Sequence, residues 1–252
     1  MPTQAGNNTF PVARSGLLIG TRGWQYTEWT GHFYPDDIPP EWQLGYYSNE
    51  CQTVLLPEQV WLDARAEEAL AWHEDVGEQF RFFIELSTIT QWQRCVTQLE
   101  AIRDQVAGIV LRSTAGAADR VDEELLESVL GLSKFAPVCL SQALRQIVLD
   151  LAPDQLAVLG ARLGTLLEMT ISDTPAHQIP DDTAAVDEIA KTGPVVCVVE
   201  RPVSPDPRSL RMLLDACHAA SAQASVAALL FAGTSPDIAA AQQAMRLQEL
   251  ML

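Results

Sequence analysis

The chain has 252 residues, with 33 Asp and Glu against 16 Lys and Arg, a formal net charge of −17 and 48% hydrophobic residues. That balance supplies a sizeable core and excludes a broad basic face that could track phosphate backbones, so no nucleic-acid partner is expected. No apolar run reaches the roughly 18 residues of a membrane span, so no membrane partner is expected either.

Residues 1–15 read as a flexible tail, with no signal-peptide pattern. Leu17 to Thr21 reads as a first strand, closed by Gly20-Thr21-Arg22-Gly23. Five aromatics follow at once: Trp24, Tyr26, Trp29, Phe33 and Tyr34. Pro39-Pro40-Glu41-Trp42 suits the first turn of a helix running to about Glu50. Thr53 to Leu56 is a second strand, broken by Pro57, and Arg65 to Val76 a helix with Ala66, Ala69, Leu70 and Trp72 inward. Phe80 to Leu86 is a third strand. Gln91 to Val106 reads as one helix, with Val96, Leu99, Ile102 and Val106 on its apolar face. Gly108 to Leu111 is a fourth strand, Val121 to Leu132 a helix, and Pro137 to Leu140 a fifth strand. Residues 142 to 163 read as helical in two pieces, split at Pro153. Thr165 to Ile171 is a sixth strand, Asp181 to Lys191 a helix and Pro194 to Val199 a seventh strand. Ser209 to Ala220 is a helix, Val226 to Phe231 the last strand, and Ile238 to Leu252 the closing helix.

About eight apolar strands alternating with helices are the rhythm of repeated βαβ units. In a chain of this length they predict a single α/β domain over residues 16–252, a (β/α)8 TIM-type barrel. An open doubly wound sheet is the rival. Neither GxGxxG nor GxxxxGK[ST] occurs to support it.

Cys51, Cys95, Cys139, Cys197 and Cys217 are odd in number, scattered and without CxxC, which argues for a reducing, cytoplasmic setting. His32, His73, His177 and His218 form no HxH or HExxH, so no metal site is expected and no cofactor is assigned. Barrel enzymes place their chemistry at the C-terminal ends of strands. Charged residues there are Glu85, Arg112, Glu168, Asp173, Glu200 and Arg201. Converging carboxylates can bind a divalent metal or act as an acid–base pair, and an Arg can grip a phosphate or carboxylate. They can equally pair with one another. Trp24, Tyr26 and Trp29 can stack a ligand or pack the first helix on the rim.

The segment from Ile19 to Val54 resembles the domain of unknown function 72 family, also called YecE-like. Gly20, Thr21, Gly23, Trp24, Tyr26, Trp29, Gly31, Phe33, Tyr34, Pro35, Trp42, Tyr46, Tyr47, Thr53 and Val54 carry the resemblance, and Phe80-Arg81-Phe82 continues it. It implies a TIM-type barrel and no established activity. It also shows where this chain departs. Arg22 stands where the family has a small residue, Leu55 where it has Glu and Glu85 where it has Lys. Val138 to Gln142, Val199 to Pro202 and Ala232-Gly233 lack the family's polar strand ends. The resemblance therefore implies a member that kept the scaffold and first loop and lost or replaced the presumed catalytic set.

The candidate ligand-binding residues are Thr21, Arg22, Gly23, Trp24, Tyr26 and Arg112; the candidate catalytic residues are Glu85, Glu200 and Arg201. The expected function is a non-catalytic or small-ligand-binding barrel. The alternatives are an enzyme on a small phosphorylated or sugar-like substrate, and a scaffold acting by self-association.

Overall fold

The apolar runs close on themselves. In the computed structural model, eight parallel strands form a closed barrel in chain order. They are β1 (Leu17–Arg22), β2 (Thr53–Leu56), β3 (Arg81–Leu86), β4 (Val106–Leu111), β5 (Val138–Leu140), β6 (Leu163–Met169), β7 (Val195–Glu200) and β8 (Ala227–Ala232). The ring is completed by β1 lying parallel to β8, with Leu17 to Thr21 opposite Ala227 to Phe231. The outer helices are α1 (Gln43–Glu50), α2 (Glu58–Asp63), α3 (Ala66–Asp75), α4 (Trp92–Gln98), α5 (Glu123–Phe135), α6 (Gln142–Leu151), α7 (Pro207–Ala220) and α8 (Ile238–Met251). The structure describes residues 16–87, 89–112, 123–151, 159, 162–169, 193–200 and 206–251. The expected tail, residues 152–158 and 160–161 of the 142–163 helix and the 181–191 helix lie outside them, and Leu163, expected as helix, opens β6. Among the described residues no helix is long and apolar enough to cross a membrane.

Strand side chains alternate between two faces, and the barrel has two cores as a result. One fills the interior, with Leu55, Phe83, Val110, Cys139, Leu166, Val198 and Leu230 among its members. The other lies between strands and helices and holds the alternate residues, such as Ile19, Val54, Phe82, Ile84, Ile109 and Val199. Both faces are covered, so the strands read as unbroken apolar runs.

Three elements differ from the sequence reading. The helix expected over Gln91–Val106 stops at Gln98 and continues as a 3-10 turn over Glu100–Gln105, and Val106 opens β4. Residues three apart eclipse in a 3-10 turn, which lets Leu99 and Ile102 both bury completely. Pro57 does more than end β2: it caps α2, a short helix whose Trp61 is fully buried. In α3, Ala69 is buried, while Ala66 is exposed and Leu70 is 48% exposed, so neither faces inward as expected. Trp72 on the same helix sets that rotation by meeting Trp24 edge-on at 5.8 Å.

Gly20 has no room for a side chain, because a Cβ there would lie 1.9 Å from the Thr53 carbonyl oxygen. That close approach of β1 to β2 is fixed from outside by Tyr47 of α1. Its buried hydroxyl receives the Thr21 N–H at 2.9 Å, lies 3.0 Å from Thr21 Oγ1 and donates to the Thr53 carbonyl at 2.9 Å. Tyr47→Phe removes one atom and leaves two buried backbone groups without this partner. We expect a loss of about 2–3 kcal/mol, read from the urea midpoint at unchanged slope.

Candidate functional site

Two residues beyond the interior layer of Phe83, Val110, Leu166 and Val198, the same alternation turns Glu85, Arg112, Glu168 and Glu200 into the mouth of the barrel. Arg22 ends β1 on the parity of Leu18, which packs against the interior core. Five charged side chains from five different strand ends thus share one layer, with apolar Leu55 and Ala232 between them.

They are spent on one another. Arg22 grips Glu85 side-on, with Nε 3.1 and 2.9 Å from the two carboxylate oxygens and Nη2 2.7 Å from Oε2. Arg112 Nη1 reaches Glu85 Oε1 at 3.2 Å. On its other edge Arg112 donates through Nε and Nη2 to Glu168 Oε1, at 3.1 and 2.9 Å, and through Nη2 to Glu200 Oε1 at 2.6 Å. Glu85 sits deepest, its side chain only 4% exposed, while those of Glu168 and Glu200 are 50% and 38% exposed. Burial opposes the charge on both arginines. Hydrogen bonds and charge from Glu85 outweigh it at Arg22, and those from Glu200 and Glu168 outweigh it at Arg112, so both pKa values rise.

Other contacts hold the layer in place. The buried Trp61 indole donates to the Glu85 carbonyl at 2.9 Å. Gly23, at φ +71°, donates its N–H to the Leu55 carbonyl at 2.8 Å. The Tyr26 hydroxyl donates to the Arg22 carbonyl. Burial, ahead of any charge, pushes the Tyr26 pKa up, so the ring remains a neutral donor.

The remaining candidates are placed elsewhere. Thr21 points to the helix side, fully buried against Tyr47. Trp24 is 3% exposed and packs on Trp72, and its carbonyl receives the Tyr34 hydroxyl at 2.7 Å. Trp29 is buried at the centre of the loop's rings. Arg201, Asp173 and His177 lie outside the described residues. His32 is exposed, and His73 Nδ1 lies 3.0 Å from Gln105 Oε1 on the outer surface. The five cysteines are buried and unbridged, and burial pushes the Cys51, Cys95 and Cys139 thiols up to about 12, far from a neutral-pH nucleophile. Among the described residues no group of three or more His, Cys, Asp or Glu could hold a metal.

Sequence reasoning missed Trp61 and Arg145. Trp61 followed a proline that read only as a strand breaker. Arg145 of α6 is buried and donates to the Gly164 carbonyl and to Thr165 Oγ1, both at 2.6 Å. A lone Arg in an amphipathic helix carries no sign of that.

The comparisons with known proteins agree with this architecture. The model of the family described as "Protein of unknown function DUF72" matches residues 18–167. No curated protein matches the chain. Two structures of a DUF72 family protein from Enterococcus faecalis are similar. One is 13% identical, covering 94% of this chain and 97% of that one at a TM-score of 0.58. The other is 12% identical, covering 92% and 95% at 0.61. A DUF72 family protein from Thermotoga maritima is 11% identical, covering 93% of this chain and 99% of that one at 0.59. Those identities speak for a shared barrel fold, and the family model spans more than half of the sequence. The chain belongs to the DUF72 family of proteins of unknown function.

Proposed function

We propose that this chain is a cytoplasmic, non-catalytic member of the family that binds a small ligand at the C-terminal mouth of its barrel. One observation carries the reading: Glu85, the deepest charged group of the mouth, has both carboxylate oxygens engaged by arginines of its own chain. A general acid or base must be free to exchange a proton with substrate. Glu85 is instead locked as an acceptor. The half-exposed edges of Arg22, Arg112, Glu168 and Glu200 still offer oriented polar groups to a visitor.

The alternative of an enzyme has its own support. Glu168 and Glu200 meet Arg112 through one oxygen each and are the most exposed carboxylates of the layer. The two readings part in one experiment. Small sugar phosphates, nucleotides, carboxylates, amines and guanidines are screened by thermal shift against wild type and Arg112→Gln. A ligand that binds only the folded state raises its melting temperature. The expected result is a rise in wild type that Arg112→Gln abolishes for an anionic ligand and leaves or increases for a cationic one, with the ligand recovered unchanged after incubation. Chemical conversion of the ligand would favour the enzyme. No rise from any ligand would overturn both readings and leave a scaffold acting by self-association.

A further inference from the structure

Glu85 is the one buried carboxylate among the described residues. The structure shows what it holds: Arg22 lays its Nε–Nη2 edge on the carboxylate, with Nε shared between both oxygens and Nη2 on Oε2, while Arg112 Nη1 takes Oε1 from the other side. Two adjacent N–H donors laid side-on against one carboxylate are what a planar guanidinium offers and a point-charge ammonium does not.

The occupant comes from a non-adjacent strand. Arg22 is 63 residues from Glu85 and leans across β2, where its own register partner is the apolar Leu55. Its backbone is fixed without the side chain, by the Tyr26 hydroxyl on its carbonyl and by Gly23 on Leu55. The side chain is 32% exposed and Glu85 only 4%. Rotation of Arg22 about its own side-chain bonds therefore uncovers Glu85 with the strand left in place. Arg112 Nη1 remains on Oε1 while Arg22 is away, so Glu85 is never left bare and the cost of opening the site is limited.

We propose that Arg22 is a tethered occupant of a guanidinium-recognition site, and that the ligand of this mouth carries a guanidinium or amidinium group that takes Arg22's place on Glu85. The proposal rests on the ligand-binding reading above and names the chemistry of its ligand. Competition with a tethered group lowers apparent affinity by the fraction of time the site stands open. The wild-type protein is thus a weak binder by construction, and removing the tether strengthens binding.

The test uses methylguanidinium chloride, titrated into wild type, Arg22→Ala and the double variant Arg22→Ala/Glu85→Gln, with sodium chloride at equal concentration as reference. We expect Arg22→Ala to gain about 3–6 °C in melting temperature at about ten times its Kd. We expect wild type to bind at least about tenfold more weakly, and the double variant not to respond. No response in Arg22→Ala, or an equal one in the double variant, overturns the proposal. Should Arg22→Ala not fold, the Arg22 Nε–H resonance of wild type gives the same answer: methylguanidinium must shift it, and an unmoved resonance overturns the assignment. A wild-type response to some other ligand that Arg112→Gln abolishes, without any to methylguanidinium, would sink this inference and keep the mouth as a ligand site. Absence of both would remove both.

Discussion

Trp29→Ala should destabilise the protein by about 4 kcal/mol, because truncating a buried Trp removes its apolar contacts and leaves a cavity. For a chain of this size that is a fall in melting temperature of about 8–16 °C. The residue is 3% exposed. Its ring lies 4.8 Å from that of Tyr26, 5.4 Å from Phe33, 5.9 Å from Tyr34 and 6.3 Å, nearly parallel, from Tyr47. Its indole N–H also donates to the Pro236 carbonyl at 3.1 Å, which the variant leaves without this partner. Trp42→Ala is the matched control, since Trp42 is 67% exposed. Its cost should stay within about 0.5 kcal/mol. Equal losses in the two variants, read from denaturant melts, would mean that the loop's aromatics do not form the cluster described.

The second large effect is electrostatic. Glu85→Ala removes the carboxylate that separates Arg22 from Arg112 and leaves two like charges facing each other. Breaking a buried pair by deleting one partner costs about 3–5 kcal/mol. Both guanidiniums reach solvent in part, with side chains 32% and 23% exposed, so the lower end, about 3 kcal/mol, is expected. Removing the pair together, as Arg22→Leu/Glu85→Leu, should cost less than about 1 kcal/mol, because apolar replacement of a whole buried pair is often neutral. Glu200→Gln, at a 38% exposed side chain, should cost under about 1 kcal/mol. A double variant as unstable as Glu85→Ala would show that Glu85 acts through something other than its arginines.

The barrel was legible because each strand is a short apolar run and both faces are covered. The charged mouth was legible as a set of strand ends and illegible as a network. The sequence places Thr21 beside Arg22 and cannot say which of the two turns inward. That parity is decided by register, which sets Gly20 opposite Thr53 and Arg22 opposite Leu55. It sends Thr21 to Tyr47 and Arg22 to Glu85. Trp24, a candidate stacking surface in sequence, is buried under α3 for a similar reason: the turn at Gly23 aims it at Trp72. Arg22 and Glu85 are each departures from the family resemblance. Their contact over 63 residues needs the barrel to close before it exists.

One seam of that barrel is unlike the others. Seven of the strand pairs join neighbours in sequence, but β1 and β8 are the two ends of the chain. The seam is fastened twice: the Trp29 indole reaches the Pro236 carbonyl, 207 residues away, and Gln248 Nε2 reaches the Leu17 carbonyl, 231 residues away. Contacts so distant in sequence carry the largest loop-closure entropy and form late. The newly made chain therefore carries β1 unpaired on one side until β8 has been synthesised. During that interval the edge of β1 is an open template for the wrong strand.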